Sequence, residues 1–233
     1  AIVEWLESKM CSTNELEGTT ILVTAGGTQE SIDPVRYIGN RSSGKMGYAI
    51  AEQAARMGAK VILVSAPTSL PVPSGVDFVS VDSAVSMQEA VEARFNDVNV
   101  VIMAAAVSDF RVLHKAEQKI KKMESMTIEL VKNPDILQGL GSKKSHQILV
   151  GFAAETEHVI KYGQDKVAKK NLDMLVANDV SKSNAGFNVD TNEGYFLYPD
   201  KEPKEMPNMK KSDLARHILR EVIDLVANRA DIN

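Results

Sequence analysis

The stretch TILVTAGGT, residues 20–28, joins an apolar run to a pair of glycines, and this combination indicates the fold class. The run has no strict polar–apolar alternation, which is typical of a strand covered on both faces of its sheet. Gly26 and Gly27 follow at the point where the strand ends. Their small size would let backbone N–H groups approach a phosphate or a carboxylate, and a tight turn explains the same pair equally well.

Five more apolar runs follow along the chain, and helical patterns separate most of them. The runs are 60–66, 76–81, 98–106, 147–155 and 173–179, and the helical patterns lie near 44–57, 84–95, 133–141, 156–170 and 210–227. Strands that alternate with helices are typical of right-handed βαβ crossovers. We therefore expect an α/β fold with a Rossmann-like, doubly wound, mainly parallel sheet, whose ligand crevice lies at the carboxyl ends of the strands.

The composition argues against several classes of protein. No run approaches the roughly 18 to 20 apolar residues that span a bilayer, so we expect no membrane segment and a location in the cytoplasm. A net charge of −4 argues against nucleic acid as a partner. Cys11 is the single cysteine, which excludes a disulfide within the chain, and the four scattered histidines argue against a transition-metal site.

The segment GNRSSGKM, residues 39–46, nearly matches the P-loop pattern GxxxxGK[ST]. Met46 stands where a hydroxyl group should contact Mg²⁺, and the preceding DPVRYI is not a buried strand, so the match fails. A turn of two serines and a glycine before a helix remains. Ser42 and Ser43 could hold a phosphate at the helix start or cap the helix, and the two roles are compatible.

Two functions that are known for sheets of this kind can be weighed against the sequence. A nicotinamide-dependent reductase is disfavoured because the GxGxxG fingerprint is absent and the second strand ends in Ser65-Ala66-Pro67, without an acidic residue for a ribose. A non-catalytic nucleotide-binding module would keep the glycine pair and the Ser-Ser-Gly turn. It would have no use for Asn40 together with a lysine-rich helix.

Lysines cluster in two places on this acidic chain, and both clusters follow predicted crevice strands. The KIKK run spans 119–122, and Lys166, Lys169 and Lys170 share one helix face through their i, i+3 and i+4 spacing. Such clusters are compatible with a polyphosphate ligand, and an ordinary solvated surface explains them equally well. The segment VKNPDI, residues 131–136, is interpreted mainly as a helix start, with Asp135 near the positive end of the helix dipole.

Together these segments resemble the phosphopantothenate–cysteine ligase family, the synthetase half of the bacterial bifunctional coenzyme A protein. The resemblance runs from about residue 19 to residue 227, and it is carried in order by TAGGTQE, DPVRYIGNRSSGKMG, AAAVSDFR, KIKK, VKNPDIL, GFAAET, KKNLDMLVANDVS and GFN. It implies that the chain ligates L-cysteine to 4'-phosphopantothenate. CTP would first form an acyl-cytidylate with release of pyrophosphate, and cysteine would then displace CMP. Mg²⁺ would accompany the triphosphate. The choice between CTP and ATP stays open.

The resemblance also implies a set of site residues. The implied catalytic residues are Asn40, Lys166 and Arg36. The implied nucleotide-binding residues are Gly26, Gly27, Ser42, Ser43, Gly44, Lys45, Phe152, Ala153, Ala154, Lys169 and Phe187. The implied substrate-binding residues are Ala105, Ala106, Asp109, Lys119 and Lys121. No protein ligand to a metal is assigned, and the choice among Lys166, Lys169 and Lys170 for the triphosphate stays open.

The same resemblance implies three parts in the chain and a partner subunit. Residues 1–18 would form an N-terminal helix or linker, and 19–228 the nucleotide-binding ligase domain. Within it, a dimerisation flap at 107–131 would reach toward the partner of a homodimer and bring Lys119 and Lys121 over the other subunit's site. The opening AIVEWLESKM looks like the joint after a flavin-dependent decarboxylase domain. Whether the chain is a fragment of such a fused protein stays open.

Overall fold

A computed structural model describes residues 13–155, 157–179 and 190–230. Most of the predicted N-terminal helix, and Cys11 with it, lies outside these residues, and the described part of 1–18 forms a turn over 15–18. Among the described helices, none is long and apolar enough to cross a membrane.

One large sheet organises the chain. Its strands are β1 (Thr20–Ala25), β4 (Lys60–Ser65), β5 (Val76–Ser80), β6 (Val100–Met103), β9 (Ile148–Glu155), β10 (Met174–Asp179), β11 (Thr191–Leu197) and β12 (Lys204–Lys210). Their spatial order is β12-β11-β10-β9-β6-β1-β4-β5. The strands from β10 to β5 run parallel, and β11 and β12 add an antiparallel edge. The six predicted strands and the mainly parallel sheet are confirmed.

Helices cover both faces of this sheet. They are α1 (Lys45–Arg56), α2 (Ala84–Glu92), α3 (Ile136–Lys143), α4 (Val159–Lys169) and α5 (Lys211–Ala230). Successive side chains of β1 point to opposite sides: Ile21 and Val23 join the layer that holds α1 and α5, and Leu22 joins the layer that holds α2, α3 and α4. Both layers are apolar, which explains why the strands lack alternation in sequence.

The direction of chain progression reverses beside β1. The chain moves from β1 through β4 to β5 on one side, and then through β6, β9 and β10 on the other. The loops that leave the carboxyl ends of β1 and β6 therefore diverge and open a crevice between them, which is where ligands bind in sheets of this kind.

The predicted flap at 107–131 is only partly β-structure. It begins with β7 (Phe110–Val112) and ends at β8 (Leu130–Lys132), which pair with each other antiparallel. The segment MTIELV, residues 126–131, has a β-like pattern in sequence, and only 130–131 of it belong to β8. The intervening residues contact a second small hairpin, formed by β2 (Gln29–Ser31) and β3 (Tyr37–Gly39). The Ala116 N–H donates a hydrogen bond of 2.9 Å to the Ile32 carbonyl oxygen in the loop of this hairpin.

Candidate functional site

A cleft of about 340 Å³ opens at the carboxyl ends of β6 and β9, beside the start of α1. Many of the residues predicted for the site line it: Asn40, Ser42, Ser43, Gly44, Lys45, Ala105, Ala106, Asp109, Phe152, Ala153, Ala154 and Lys166. Four segments that are distant in sequence therefore meet around one cavity, at the crevice that the strand order predicts.

Gly26 and Gly27 lie buried beneath this cleft and do not line it. A β-carbon on Gly26, whose φ is 80°, would lie 2.6 Å from the Ala66 carbonyl oxygen. The Gly26 carbonyl oxygen also accepts a hydrogen bond from the Ala106 N–H at 2.8 Å. The glycine pair thus packs against the loops that form the cleft. This arrangement fits the interpretation as a tight turn better than direct contact with a ligand.

The start of α1 faces the cleft without a side-chain cap. Its N-cap residue is Gly44, in the left-handed conformation with φ 74°, so neither Ser42 nor Ser43 is the N-cap. The Ser42 Oγ instead accepts a hydrogen bond from the Gly44 N–H at 3.3 Å. Gly44 cannot carry a side chain here, because a β-carbon would lie 2.6 Å from Cγ2 of Thr68. The start of α1 therefore lies at the cleft wall, where its first N–H groups and the positive end of its dipole would favour an anion.

Asn40 sits on the rim of this site. Its side chain is exposed, and its Nδ2 donates a hydrogen bond to the Val107 carbonyl oxygen at 3.1 Å. This bond ties the Ser-Ser-Gly loop to the loop after β6, so the amide lies where the two halves of the cleft meet.

Among the residues that the structure describes, three lysines line the cleft, and one of them was not predicted. Lys45 pairs with Asp190 at 2.6 Å, and Lys166 pairs with Glu155 at 2.5 Å. The third is Lys211, the first residue of α5, which is only 8% exposed. Burial of its ammonium group and the charge of Lys45 lower the pKa of Lys211, and the Asp190 carboxylate only partly offsets them.

A second cleft of about 240 Å³ adjoins the first, and Ala105, Val107, Asp109 and Phe152 belong to both walls. Its other side is the VKNPDI segment at the start of α3. Asp135 caps that helix, accepting a bond from the Gln138 N–H at 3.0 Å, and also pairs with Lys170 at 2.9 Å. The interpretation of this segment as a helix start is confirmed, and the segment also forms a wall of the second cleft, which was not predicted from sequence.

Several predicted site residues lie elsewhere. Lys169 is exposed and lines neither cleft. Arg36, Lys119 and Lys121 line a separate depression beside the flap. Phe187 lies outside the described residues.

Arg36 belongs to a network that holds the flap. It forms an ion pair with the buried Asp33 at 2.5 Å and donates to the Ile120 carbonyl oxygen at 2.8 Å. The Ile120 N–H donates to the same carboxylate at 3.1 Å. Burial raises the pKa of Asp33, but hydrogen bonds from Arg36 and from the N–H groups of Val35 and Ile120 outweigh it and lower the pKa well below the ordinary range.

Beyond Lys211, two asparagines that were not predicted from sequence also line the cleft. They are Asn178 and Asn192, which are joined by a hydrogen bond of 3.3 Å. Asn178 could have been found, because it lies near the carboxyl end of a predicted strand. Asn192 and Lys211 lie on or beside the antiparallel edge, whose position depends on tertiary structure.

The family model for the DNA/pantothenate metabolism flavoprotein C-terminal domain matches residues 16–226. Among similar proteins, the coenzyme A biosynthesis bifunctional protein CoaBC of Bacillus subtilis (strain 168) is 48% identical over 212 residues, which cover 90% of this chain and 52% of that protein. The protein of the same name from Escherichia coli (strain K12) is 45% identical over 227 residues, or 95% of this chain and 56% of that protein. The chain thus spans about half the length of these relatives.

Solved structures show the same likeness. The crystal structure of the C-terminal domain of CoaBC superposes with a TM-score of 0.80 at 44% identity, over 93% of this chain and 100% of that one. A mutant of Cab2 in complex with phosphopantothenate-cysteine shares the fold alone, with a TM-score of 0.70 at 17% identity, over 97% of this chain and 90% of that one. From its sequence and its fold, the chain belongs to the family of the DNA/pantothenate metabolism flavoprotein C-terminal domain.

Proposed function

We propose that this chain ligates L-cysteine to 4'-phosphopantothenate through an acyl-cytidylate formed from CTP. The observation that carries the proposal is the meeting of Asn40, the Ser-Ser-Gly turn, the loop after β6 and the end of β9 around one cleft. These are the segments in which the chain resembles phosphopantothenate–cysteine ligases. The 48% identity to a bifunctional coenzyme A biosynthesis protein supports the same activity.

The chemistry explains the need for a nucleotide. A carboxylate is a poor acyl donor, so an oxygen of the substrate carboxylate attacks the α-phosphorus of CTP and pyrophosphate leaves. The amine of cysteine then attacks the carbonyl carbon of the mixed anhydride, CMP leaves, and the amine loses a proton. The protein contributes position and positive charge. The uncapped start of α1, Lys45 and Lys166 would neutralise phosphate, and Asn40 would orient the acyl-cytidylate.

The nucleotide base would lie against Phe152, Ala153 and Ala154, whose backbone groups could select cytosine by its exocyclic edge. Ala105 and Ala106 would leave room for the pantothenoyl arm, and Asp109 would accept its hydroxyl or amide hydrogens. Mg²⁺ would enter with the triphosphate and reduce its negative charge. Such an ion is held mainly by phosphate oxygens and water, and the exposed Asp109 carboxylate in the cleft wall is compatible with it.

The proposed assembly is a homodimer in which the flap covers the partner's cleft. Around the flap, apolar side chains are exposed to an unusual degree: Val35 by 61%, Phe110 by 50%, Met123 by 61% and Leu130 by 43%. A cluster of exposed apolar groups is typical of an interface. Lys119 and Lys121 lie beside this surface and would act on the partner's site, with Arg36 behind them.

The proposed ligase domain spans residues 19–228. Its relatives are bifunctional and about twice as long, so we propose that the chain corresponds to the synthetase half of such a protein, with a flavin-dependent decarboxylase as the other half. The proposed location is the cytoplasm.

Pyrophosphate release with 4'-phosphopantothenate tests the function, with CTP and ATP supplied in turn and cysteine present or absent. We expect release with CTP before cysteine is added, and formation of the amide only afterwards. Pyrophosphate release with ATP but not with CTP would identify ATP as the nucleotide substrate. Binding of both ligands without release would instead favour the non-catalytic module, and hydride transfer to a nicotinamide would favour the reductase.

A further inference from the structure

Asn133 is a buried asparagine in the VKNPDI segment, and the proposed chemistry so far gives it no role. It is 5% exposed, follows β8 directly and lines the second cleft. A buried side-chain amide needs partners for its donors and its acceptor, because hydrogen bonds left unmade inside a protein are costly. The partners of Asn133 therefore indicate which part of the molecule it supports.

Those partners belong to the segment that carries Asp109. The Asn133 Nδ2 donates a hydrogen bond of 2.9 Å to the Ser108 carbonyl oxygen, and the Asn133 backbone N–H donates one of 2.8 Å to the Asp109 carbonyl oxygen. Its Oδ1 accepts a hydrogen bond from Nη1 of Arg111 at 3.3 Å. Asn133 thus binds the peptide carbonyl groups on both sides of the Asp109 Cα.

The carboxylate of Asp109 depends on this support. It is exposed in the walls of both clefts, and no residue that the structure describes donates a hydrogen bond to it. The Ser108 hydroxyl is buried and also lacks a partner among the described residues, whereas the Ser108 N–H donates to Oγ1 of Thr28 at 2.9 Å. The position of the carboxylate is therefore set by the backbone of 108–109, which the side chains of Thr28 and Asn133 hold in place.

We propose that Asn133 is a positioning residue for recognition of the acid substrate, because it fixes the place at which the Asp109 carboxylate meets the pantothenoyl arm. This inference rests on the proposed function, in which Asp109 accepts the hydroxyl or amide hydrogens of that arm. Asn133 acts through the backbone of Asp109 and not through a contact of its own with the substrate. Its effect therefore falls on 4'-phosphopantothenate and not on CTP.

Steady-state kinetics on the full chain test the proposal, with 4'-phosphopantothenate and CTP varied in turn at saturating cysteine. Asn133→Ala removes the side-chain bond to the Ser108 carbonyl oxygen. The KM for 4'-phosphopantothenate should rise by roughly tenfold, the effect of weakening one hydrogen bond to a charged group, while kcat and the KM for CTP change by less than about twofold. In an Asp109→Ala background, Asn133→Ala should change the KM for 4'-phosphopantothenate by less than about twofold, because the group that it positions is gone.

Gln147→Ala is the matched control for a purely structural role. Gln147 is 1% exposed, and its Nε2 donates a hydrogen bond of 3.0 Å to the Phe95 carbonyl oxygen. It precedes β9 at the amino end of that strand and lines neither cleft. Its loss should lower the free energy of unfolding, as Asn133→Ala also should, and leave both KM values unchanged.

An equal rise of both KM values in Asn133→Ala would overturn the inference. Unchanged KM values would do the same, and so would a further tenfold loss in the Asp109→Ala background. Should Asn133→Ala fail to fold, Arg111→Met takes its place under the same criteria, because it removes the donor that orients the Asn133 amide and Arg111 lines neither cleft. A wild-type chain that forms no amide product would defeat the proposed function. An active wild type with any of the three overturning results would defeat only this inference.

Discussion

Gly27 supports the backbone of Asn40 directly: a β-carbon on Gly27 would lie 2.7 Å from the Asn40 carbonyl oxygen. Gly27→Ala must therefore displace the loop that carries Asn40. Small displacements of reacting groups can lower rates by about a hundredfold, so we expect turnover to fall at least tenfold. The free energy of unfolding should fall only by about 1–3 kcal/mol, the usual cost of overpacking. Steady-state kinetics and urea unfolding measure the two effects.

Gly139→Ala is the matched control for this substitution. Gly139 lies within α3, and a β-carbon there meets nothing within 4 Å. Alanine should stabilise the chain by about 0.4–1 kcal/mol and leave turnover unchanged. Equal kinetic losses in the two variants would contradict the supporting role of Gly27.

Asn40→Asp should separate the two half-reactions. The Asn40 amide donates to the Val107 carbonyl oxygen, and a carboxylate cannot donate that bond. The new charge would also lie beside an anionic intermediate. We expect pyrophosphate release to continue while the acyl-cytidylate accumulates, detectable by mass spectrometry after quenching. If the variant forms the amide product at the wild-type rate, Asn40 is not needed for the second step.

The contacts of Asp33 make the anchoring of the flap dependent on pH. Its pKa is lowered in the folded chain, so the carboxylate stabilises the fold above the pKa of the unfolded state, near 4. This contribution is lost as the pH falls through the lower folded-state pKa. Asp33→Asn should therefore destabilise the chain at pH 6–7, and the difference from wild type should shrink below about pH 4. Urea unfolding across this range measures it, and an equal difference at every pH would contradict the prediction.

The Asp33→Asn and Arg36→Met substitutions together separate the ion pair from the rest of the network. If Arg36 acts mainly through Asp33, the double variant should be little less stable than either single variant at pH 7. Additive losses would show that the two side chains stabilise the flap independently.

The exposed apolar side chains around the flap predict a homodimer. Sedimentation should show a dimer at micromolar concentration. Met123→Glu should shift it toward monomer, because the substitution places a charge within the proposed interface. Phe78→Glu is a matched control, because Phe78 is 40% exposed on β5, an edge strand of the sheet. A wild-type monomer with full turnover would remove the proposed action of Lys119 and Lys121 in trans.

The central strands could be predicted from sequence because β1, β4, β6 and β9 are local apolar runs with covered faces. The strands β11 and β12 lack such continuous runs. The position of the crevice follows from strand order, and many of its lining residues come from strand ends and helix starts. The burial of Lys211 could not be predicted in this way. It depends on how α5 meets the edge strands, which no local pattern specifies.

Other differences between the predicted and the observed site residues also have physical causes. Gly26 and Gly27 sit where small residues were expected to admit a ligand, but the close neighbours they admit are protein backbone. Lys166, Lys169 and Lys170 share a broad helix face, yet each residue turns the helix by about 100°. Lys169 therefore points about 60° to one side of Lys166, and Lys170 about 40° to the other. The first is left exposed, and the second reaches Asp135 in the adjoining cleft.

Lys166→Gln should slow the first half-reaction more than the second, because the pyrophosphate charge is present only there. Lys166 lines the main cleft, and Glu155 holds its Nζ at 2.5 Å. Losing one charge-assisted contact to phosphate should cost about 1.5–3 kcal/mol, or roughly ten- to a hundredfold in rate. Pyrophosphate release in a single turnover at saturating CTP measures this effect.

Lys169→Gln is the matched control, because that lysine is on the same helix and lines neither cleft. Lys170→Gln probes the adjoining cleft and also breaks the pair with Asp135. If Lys166→Gln releases pyrophosphate at the wild-type rate and Lys170→Gln does not, the triphosphate lies against the start of α3. If all three variants behave as wild type, α4 is not part of the triphosphate site, and the placement of CTP against this helix must be given up.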